Sequence, residues 1–186
     1  AVSVILGGRA ESLMMRAADI FMSFPSAVLV LAIVGIAGPG LGNILFACAA
    51  AKWPWYARMM RTILRSIMQS GYVQYARAAG ASRFHILFSH LLPGAAWEFF
   101  VLMTIDTGAV ILMISSLSFL GLGTQPPTPE WGMMLSEAKN VLSLYPWQML
   151  PPGLAILTTV AAFNFLGDSL RDVFDMRHVT PEGDQA

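Results

Sequence analysis

The chain has 186 residues, of which 56% are hydrophobic and only 12% are charged, and its formal net charge is zero. Soluble domains carry about 25% charged residues, so this composition leaves too little polar surface for an ordinary soluble domain. The balanced charge also excludes the overall basic field that attracts nucleic acid.

Charged residues are absent from three long stretches, 20–51, 107–129 and 140–167. About 18 mainly apolar residues suffice to cross a roughly 30 Å hydrocarbon layer as a helix. A large soluble protein can bury an apolar helix, but such helices usually keep a polar stripe, and three of them would leave this chain little surface for water. The sequence therefore predicts an all-α integral membrane protein.

The first stretch is too long for a single span, because its 32 residues would extend about 48 Å as a helix. Gly38-Pro39-Gly40 interrupts it at a point where a helix cannot continue. We therefore predict a helical hairpin with spans at 20–37 and 41–60, followed by spans at 96–118 and 151–170.

The segments outside these spans are more polar or richer in turn-forming residues. Glycine and proline are frequent in 119–150, which predicts an ordered loop with one short helix from Met133 to Val141. The tail 179–186 is polar and is expected to fray. The chain has neither an initiator Met nor the basic start of a signal peptide, so we expect it to begin inside a longer protein, with 1–178 forming one membrane domain.

The basic residues orient the spans, because Lys and Arg in short loops stay on the cytoplasmic side. Nine arginines fall on one side: Arg9, Arg16, Arg58, Arg61, Arg65, Arg77, Arg83, Arg171 and Arg177. Lys139 falls on the other side, and Lys52 lies near the lower end of the second span, where its ammonium group can extend inward. This asymmetry predicts that segment 61–95 and the C-terminus are cytoplasmic and that 119–150 faces out.

Segment 70–93, between the second and third spans, has features of a docking surface. Two short helices around Gly80 would expose Tyr72, Tyr75 and Phe84 as anchors for a partner. An amphipathic helix lying on lipid headgroups has a similar composition. The residues by themselves leave both interpretations open.

This segment resembles the cytoplasmic Glu-Ala-Ala loop of permease subunits in binding-protein-dependent ABC importers. The family pattern is Glu-Ala-Ala, three residues, Gly, nine residues, Ile, one residue, Leu-Pro. It falls here on Gln74, Tyr75, Ala76, Gly80, His90, Leu92 and Pro93. The spacing is intact, but Gln74 replaces the acid, Tyr75 replaces an alanine and His90 replaces the isoleucine, which puts any salt bridge from the acidic position in doubt.

The resemblance extends over nearly the whole chain. Further matching segments are 7–8, 24–25, 55–58, 117–123, 129–132, 152–156 and 163–172. Together they look like the second permease of the dipeptide, oligopeptide and nickel importer group. Within that group, 53–58 and Asp106 are more similar to nickel permeases than to peptide permeases.

The resemblance implies the helical bundle of a type I ABC importer permease, with about four of six spans present, in the bacterial plasma (inner) membrane. It implies three protein partners: ATP-binding cassette subunits, a second homologous permease, and a periplasmic or extracellular substrate-binding protein. The cargo would be nickel, as a chelate, or di- and oligopeptides. The residues implied in coupling to the ATPase are Gln74, Tyr75, Ala76, Gly80, Ala81, Ser82 and Pro93.

Ionisable residues within the spans are functional candidates, because charge at membrane depth is costly unless it faces a cavity or a partner. Asp106 lies near the middle of the third span, and Glu98 precedes it by eight residues, which places both on one helical face. With Met103, they are our candidates for the translocation path, where a negative face would favour a cationic substrate. The alternative is that Asp106 hydrogen-bonds a neighbouring helix.

The sequence predicts no catalytic residue, cofactor or metal site. It has no Gly-rich phosphate loop with its Lys and no recognisable nucleophile–base triad, so ATP hydrolysis is assigned to a partner. His85 and His90 are five residues apart, which on an α-helix turns them to different faces. Two other classes remain: an intramembrane enzyme with Asp106 as base, and a membrane scaffold that does not transport.

Overall fold

Helices make up nearly all of the described chain. The computed structural model describes the backbone of residues 8–178 and the side chains of residues 11–82 and 84–173. The helices are α1 (Gly8–Met22), α2 (Ser26–Ala37), α3 (Leu41–Gln69), α4 (Gly71–Ala78), α5 (Arg83–Ile86), a π-helical segment (Leu87–Leu91), α6 (Leu92–Phe119), α7 (Trp131–Asn140), a 3-10 turn (Pro146–Met149) and α8 (Leu150–His178). The all-α prediction is confirmed, while the tail 179–186 lies outside the described residues.

Two continuous helical stretches are long and apolar enough to cross a membrane, Phe84–Phe119 and Pro146–Val173. They contain the predicted spans 96–118 and 151–170. A third crossing is possible if Glu11–Met22 and Ser26–Ala37 act as one span, although these helices meet at an angle of 82°. α3 has 29 residues and contains the predicted span 41–60, but it is not among the described helices that are apolar enough to cross a membrane.

The prediction of one helix over 20–37 is wrong. α1 ends at Met22 and α2 begins at Ser26, with a sharp bend between them. Pro25 has no backbone N–H to continue the helical ladder, and its ring disfavours helical geometry at Phe24. Charge alone did not reveal this break, because the residues on both sides of it are uncharged.

The helix predicted over 41–60, the second of the hairpin, begins where predicted but ends later than predicted. α3 begins directly after the 38–40 turn, as expected, and continues to Gln69 instead of ending near residue 60. Residues 61–69 are mostly good helix formers, so the helix outlasts its apolar part. α3 therefore connects the middle of the bundle to the start of α4.

Close helix contacts hold the bundle together. α6 and α8 form the most extensive helix pair, and a Cβ on Gly167 of α8 would lie only 2.4 Å from Ile105 Cγ1 of α6. Small residues at such crossings let membrane helices approach closely. A second cluster buries Val30 and Val34 of α2 against Ile44 of α3, so α2, α3, α6 and α8 form a connected frame.

The segment predicted as an outer loop contains one helix of more than one turn. α7 spans Trp131–Asn140, close to the predicted Met133 to Val141. The Glu130 side chain caps it by accepting hydrogen bonds from the backbone N–H groups of Gly132 and Met133, at 3.0 and 2.9 Å. Leu122 in the same segment accepts a hydrogen bond from Gly40 N at 3.1 Å, which ties the loop to the 38–40 turn.

Candidate functional site

The cytoplasmic loop predicted at 70–93 forms a compact helix–turn–helix. α4 ends at Ala78, and Gly80 adopts a φ of +86°. Gly80 N donates to Arg77 O and Ala81 N donates to Ala76 O, both at 3.1 Å, which is the hydrogen-bond pattern of a Schellman helix end. A side chain at Gly80 would be strained by this left-handed backbone.

The next helix begins as sharply as α4 ends. The Ser82 hydroxyl accepts a hydrogen bond from His85 N at 3.2 Å, as expected of a residue that caps a helix start. Pro93 lies inside the continuous helical stretch Phe84–Phe119, shortly after the π-helical segment, and it has no N–H to donate to the helical ladder there. The turn at Gly80 is thus fixed by its local sequence.

A hydrophobic cluster attaches the inner face of this loop to α3. Val73 of α4 and Leu91 of the π-helical segment are at most 1% exposed and pack with Leu64 of α3. The other buried members are Ile63, Ile86, Leu87 and Ala95. This packing joins α3, α4, α5, the π-helical segment and the start of α6.

The outer face of the loop is aromatic and exposed. Tyr75 is 79% exposed, Phe84 70%, Phe88 64% and Tyr72 53%. Large aromatic side chains are the residues that most often anchor protein interfaces. Of the other predicted coupling residues, Gln74, Gly80, Ser82 and Pro93 are exposed, whereas Ala76 and Ala81 are half-buried.

The histidines of this loop lie closer together than predicted. The rings of His85 and His90 have centroids 5.9 Å apart, and Tyr72 lies 5.8 Å from His90. The π-helical segment brings residues five apart to the same side, so the expectation of different faces is wrong. Within the described part of the chain, no three His, Cys, Asp or Glu side chains are placed to hold a metal ion.

The second candidate region lies deep in the bundle, where α6 meets α3. Lys52 Nζ and Tyr56 Oη each donate to the carboxylate of Asp106 at 2.5 Å. The Lys52 and Asp106 side chains are only 17% and 13% exposed. The alternative that Asp106 hydrogen-bonds a neighbouring helix is therefore what the structure shows, and the ammonium group of Lys52 is paired there.

This ion pair borders a cleft near the bend between α1 and α2. The lining residues are Phe21, Met22, Phe24, Pro25, Ser26, Ala51, Lys52, Trp55 and Asp106. Glu98 and Met103, the other predicted path residues, are exposed on α6 and do not line this cleft. The structure thus gives Asp106 a cavity and a partner, and it separates Asp106 from the two residues predicted to act with it.

Sequence reasoning missed the partners of several charged residues. Glu11 of α1 accepts from Arg61 Nε at 2.6 Å and from Arg65 Nη2 at 2.9 Å, and Asp19 pairs with Arg58. Arg58, Arg61 and Arg65 share one face of α3 at helical spacing. That spacing could have indicated that an acidic partner faces this side of the helix. Lys52 and Asp106 each bound an uncharged stretch, which marks both as residues that need a partner but does not show that they pair with each other.

Comparisons with known proteins agree with this architecture. Residues 1–179 match the family described as binding-protein-dependent transport system inner membrane component. The chain is 42% identical over 176 residues to the nickel transport system permease protein NikC of Escherichia coli K12; the matched region is 95% of this chain and 64% of that protein. It is 44% identical over 165 residues to the glutathione transport system permease protein GsiD of Salmonella typhimurium; that matched region is 89% of this chain and 54% of that protein. The chain thus spans less than two thirds of the length of these relatives.

Proposed function

Because the chain belongs to the family of binding-protein-dependent transport system inner membrane components, the permeases of ABC importers, we propose that it forms part of the translocation path of an ATP-driven importer. Its partners would be two ATP-binding cassette subunits, a second homologous permease and an external substrate-binding protein. The chain would cross the bacterial inner membrane several times, with segment 61–95 and the C-terminus in the cytoplasm.

One observation carries this proposal: the exposed aromatic loop is attached to the bundle by a buried core. Tyr75 and Phe84 present apolar surface to a partner, while Val73 and Leu91 join the same loop to α3. Importers must convert closure of their ATPase subunits into movement of the spans. A loop with exposed aromatic side chains for binding a partner, and a buried apolar core that packs against α3, suits that coupling.

The Lys52–Asp106 pair supports a proposal about cargo. Asp106 lies in a cleft but is neutralised by Lys52 at 2.5 Å, so the pair offers no net attraction to a bare divalent cation. The relatives named above are a nickel permease and a glutathione permease. We therefore propose a nickel chelate or a peptide-like molecule as cargo, in preference to the bare metal ion.

Neither of the other classes gains support. An intramembrane base at this position would have to reach a substrate with the carboxylate of Asp106, whereas both oxygens of that carboxylate already accept hydrogen bonds from Lys52 and Tyr56. A membrane scaffold would need a docking loop but no polar cleft in the bundle. The relatives are transport permeases, which favours transport over both.

The test compares two glycines that share one backbone conformation. Gly80 and Gly121 have φ of +86° and +83°, and a Cβ on either would meet open space. In the full-length protein, Gly80→Val is expected to disrupt the coupling loop and abolish ATP-driven uptake, whereas Gly121→Val, at the opposite end of α6, should keep ATPase subunits bound. Uptake and copurification of ATPase subunits are the measurements, and normal uptake by the Gly80→Val protein would overturn the proposal.

A further inference from the structure

An arginine-rich surface lies where α3 continues into α4, and it includes Gln74, one of the predicted coupling residues. Two neighbouring clefts open there. Arg65, Met68, Gln69, Gln74, Arg77 and Ala78 line the first, and Arg58, Arg61, Thr62, Arg65, Ser66 and Gln69 line the second. We call these two clefts the arginine elbow.

The arginine elbow consists largely of hydrogen-bond donors. Four guanidinium groups, two hydroxyls and two side-chain amides lie among its described lining residues, and none of those residues is acidic. The Thr62 hydroxyl and the Gln74 amide already donate to backbone carbonyls, so the guanidinium groups are the main donors. Such a donor set matches the oxygens of a phosphate, which guanidinium groups bind through paired N–H donors.

The acidic residues nearby neutralise only part of the positive charge. Glu11 is shared by Arg61 and Arg65, and Asp19 pairs with Arg58. Arg77 forms no ion pair with a described side chain. Four arginines against two carboxylates leave a net charge of two positive at the elbow, and Arg58 and Arg65 remain 48% and 52% exposed at their side chains.

The position of the arginine elbow across the bilayer indicates which kind of molecule would supply the phosphate group. With the 38–40 turn at the outer boundary, Arg58 and Arg65 lie about 26 and 36 Å further along α3 at 1.5 Å per residue. The hydrocarbon layer is about 30 Å thick, so in the membrane orientation proposed above, on which this inference rests, the arginine elbow would lie at the level of the cytoplasmic headgroups. Basic pockets at this level bind anionic lipid headgroups.

We propose that the arginine elbow binds the phosphodiester headgroup of an anionic phospholipid of the cytoplasmic leaflet. Arg65 lies in both clefts and Arg77 closes the first, so the headgroup would bridge α3 to the coupling helix α4. Met68, which also lines the first cleft, offers apolar contact to the glycerol backbone. The bound lipid would stiffen the joint between α3 and α4, and this inference does not depend on the identity of the cargo.

The test uses Arg77→Gln, because Arg77 forms no ion pair with any side chain that the structure describes, with Arg16→Gln as the matched control. Arg16 is an exposed arginine of α1 that lines neither cleft. The full-length protein would be placed in nanodiscs of phosphatidylcholine with increasing phosphatidylglycerol. Lipid retained after extraction would be counted by native mass spectrometry, and thermal stability measured in parallel.

We expect the unaltered protein and Arg16→Gln to retain phosphatidylglycerol and to be stabilised by it. Arg77→Gln should bind it at least tenfold more weakly, and adding Arg65→Gln should weaken binding further. Equal retention by the Arg77→Gln protein would overturn the proposal. So would equal protection by inorganic phosphate, which would identify a soluble ligand, or cross-linking of a cysteine at position 77 to protein instead of lipid in the assembled importer.

Discussion

The loop at 70–93 and the Lys52–Asp106 region use polar and apolar groups in opposite ways. In the loop, the buried face is apolar and large aromatic side chains such as Tyr75 are left exposed. In the bundle, the Lys52 and Asp106 side chains are 17% and 13% exposed and satisfy one another, with Asp106 accepting from both Lys52 and Tyr56. The contrast suggests that the loop is built for association with a partner, whereas the pair in the bundle is already complete within the chain.

The largest expected effect is on the buried pair. Asp106→Ala leaves the ammonium group of Lys52 without its partner at low exposure, which should destabilise the full-length protein by about 3–5 kcal/mol. Thermal unfolding in detergent, followed by loss of the monodisperse species, is the measurement. Glu98→Gln is the control, because Glu98 is an exposed acid on the same helix and should change stability little.

A double variant sharpens this test. Lys52→Met with Asp106→Leu removes both charges together, so most of the stability lost in Asp106→Ala should return. Were the double variant as unstable as the single one, the pairing of Lys52 with Asp106 would not be the source of the loss.

The second effect concerns association and not stability. Tyr75→Ala and Phe84→Ala remove side chains that are 79% and 70% exposed, so the fold should be retained. Each should weaken binding of an ATP-binding cassette subunit by about 2 kcal/mol, or roughly 30-fold, if it acts as an interface anchor. Binding to the purified subunit is measured by surface immobilisation. Trp147→Ala removes an aromatic side chain that is 60% exposed and lies in the predicted outer segment 119–150, and it should leave that affinity unchanged.

The smallest effect is expected at Tyr56. Tyr56→Phe removes one hydrogen bond to Asp106 and leaves the ion pair with Lys52 intact. Hydrogen bonds between membrane helices contribute about 0.6 kcal/mol on average, so the loss of stability should be near that value. A loss as large as that of Asp106→Ala would show that Tyr56, and not Lys52, holds the carboxylate.

Sequence predicted the local features of the fold at the positions where a single residue type, such as glycine or proline, determines the backbone conformation. The turns at 38–40 and at Gly80 were anticipated from glycine and proline, and both occur. The bend before Pro25 was missed because hydropathy and charge are continuous across it, although the proline itself was a usable signal. The end of α3 was missed because the prediction placed the helix end where the apolar residues end, near residue 60, whereas the helix continues through the more polar residues to Gln69.

Long-range pairing was the part that sequence reasoning could not supply. Asp106 was identified as a residue that needs a partner, but Lys52 is 54 residues away and nothing in the local pattern selects it. The proximity of His85 and His90 depends on a π-helical segment, which an α-helical periodicity does not reveal. The functional assignments of the loop and of the path residues remain predictions.

The most direct test of the proposal that the loop at 70–93 binds an ATP-binding cassette subunit is site-specific photo-cross-linking from that loop. A photoreactive amino acid would replace Tyr75 in the full-length protein in its native membrane, with the same substitution at Trp147 as the control. The account predicts that position 75 captures an ATP-binding cassette subunit and that position 147 does not. Capture of lipid alone at position 75, in membranes where that subunit is present and bound to the protein, would contradict it.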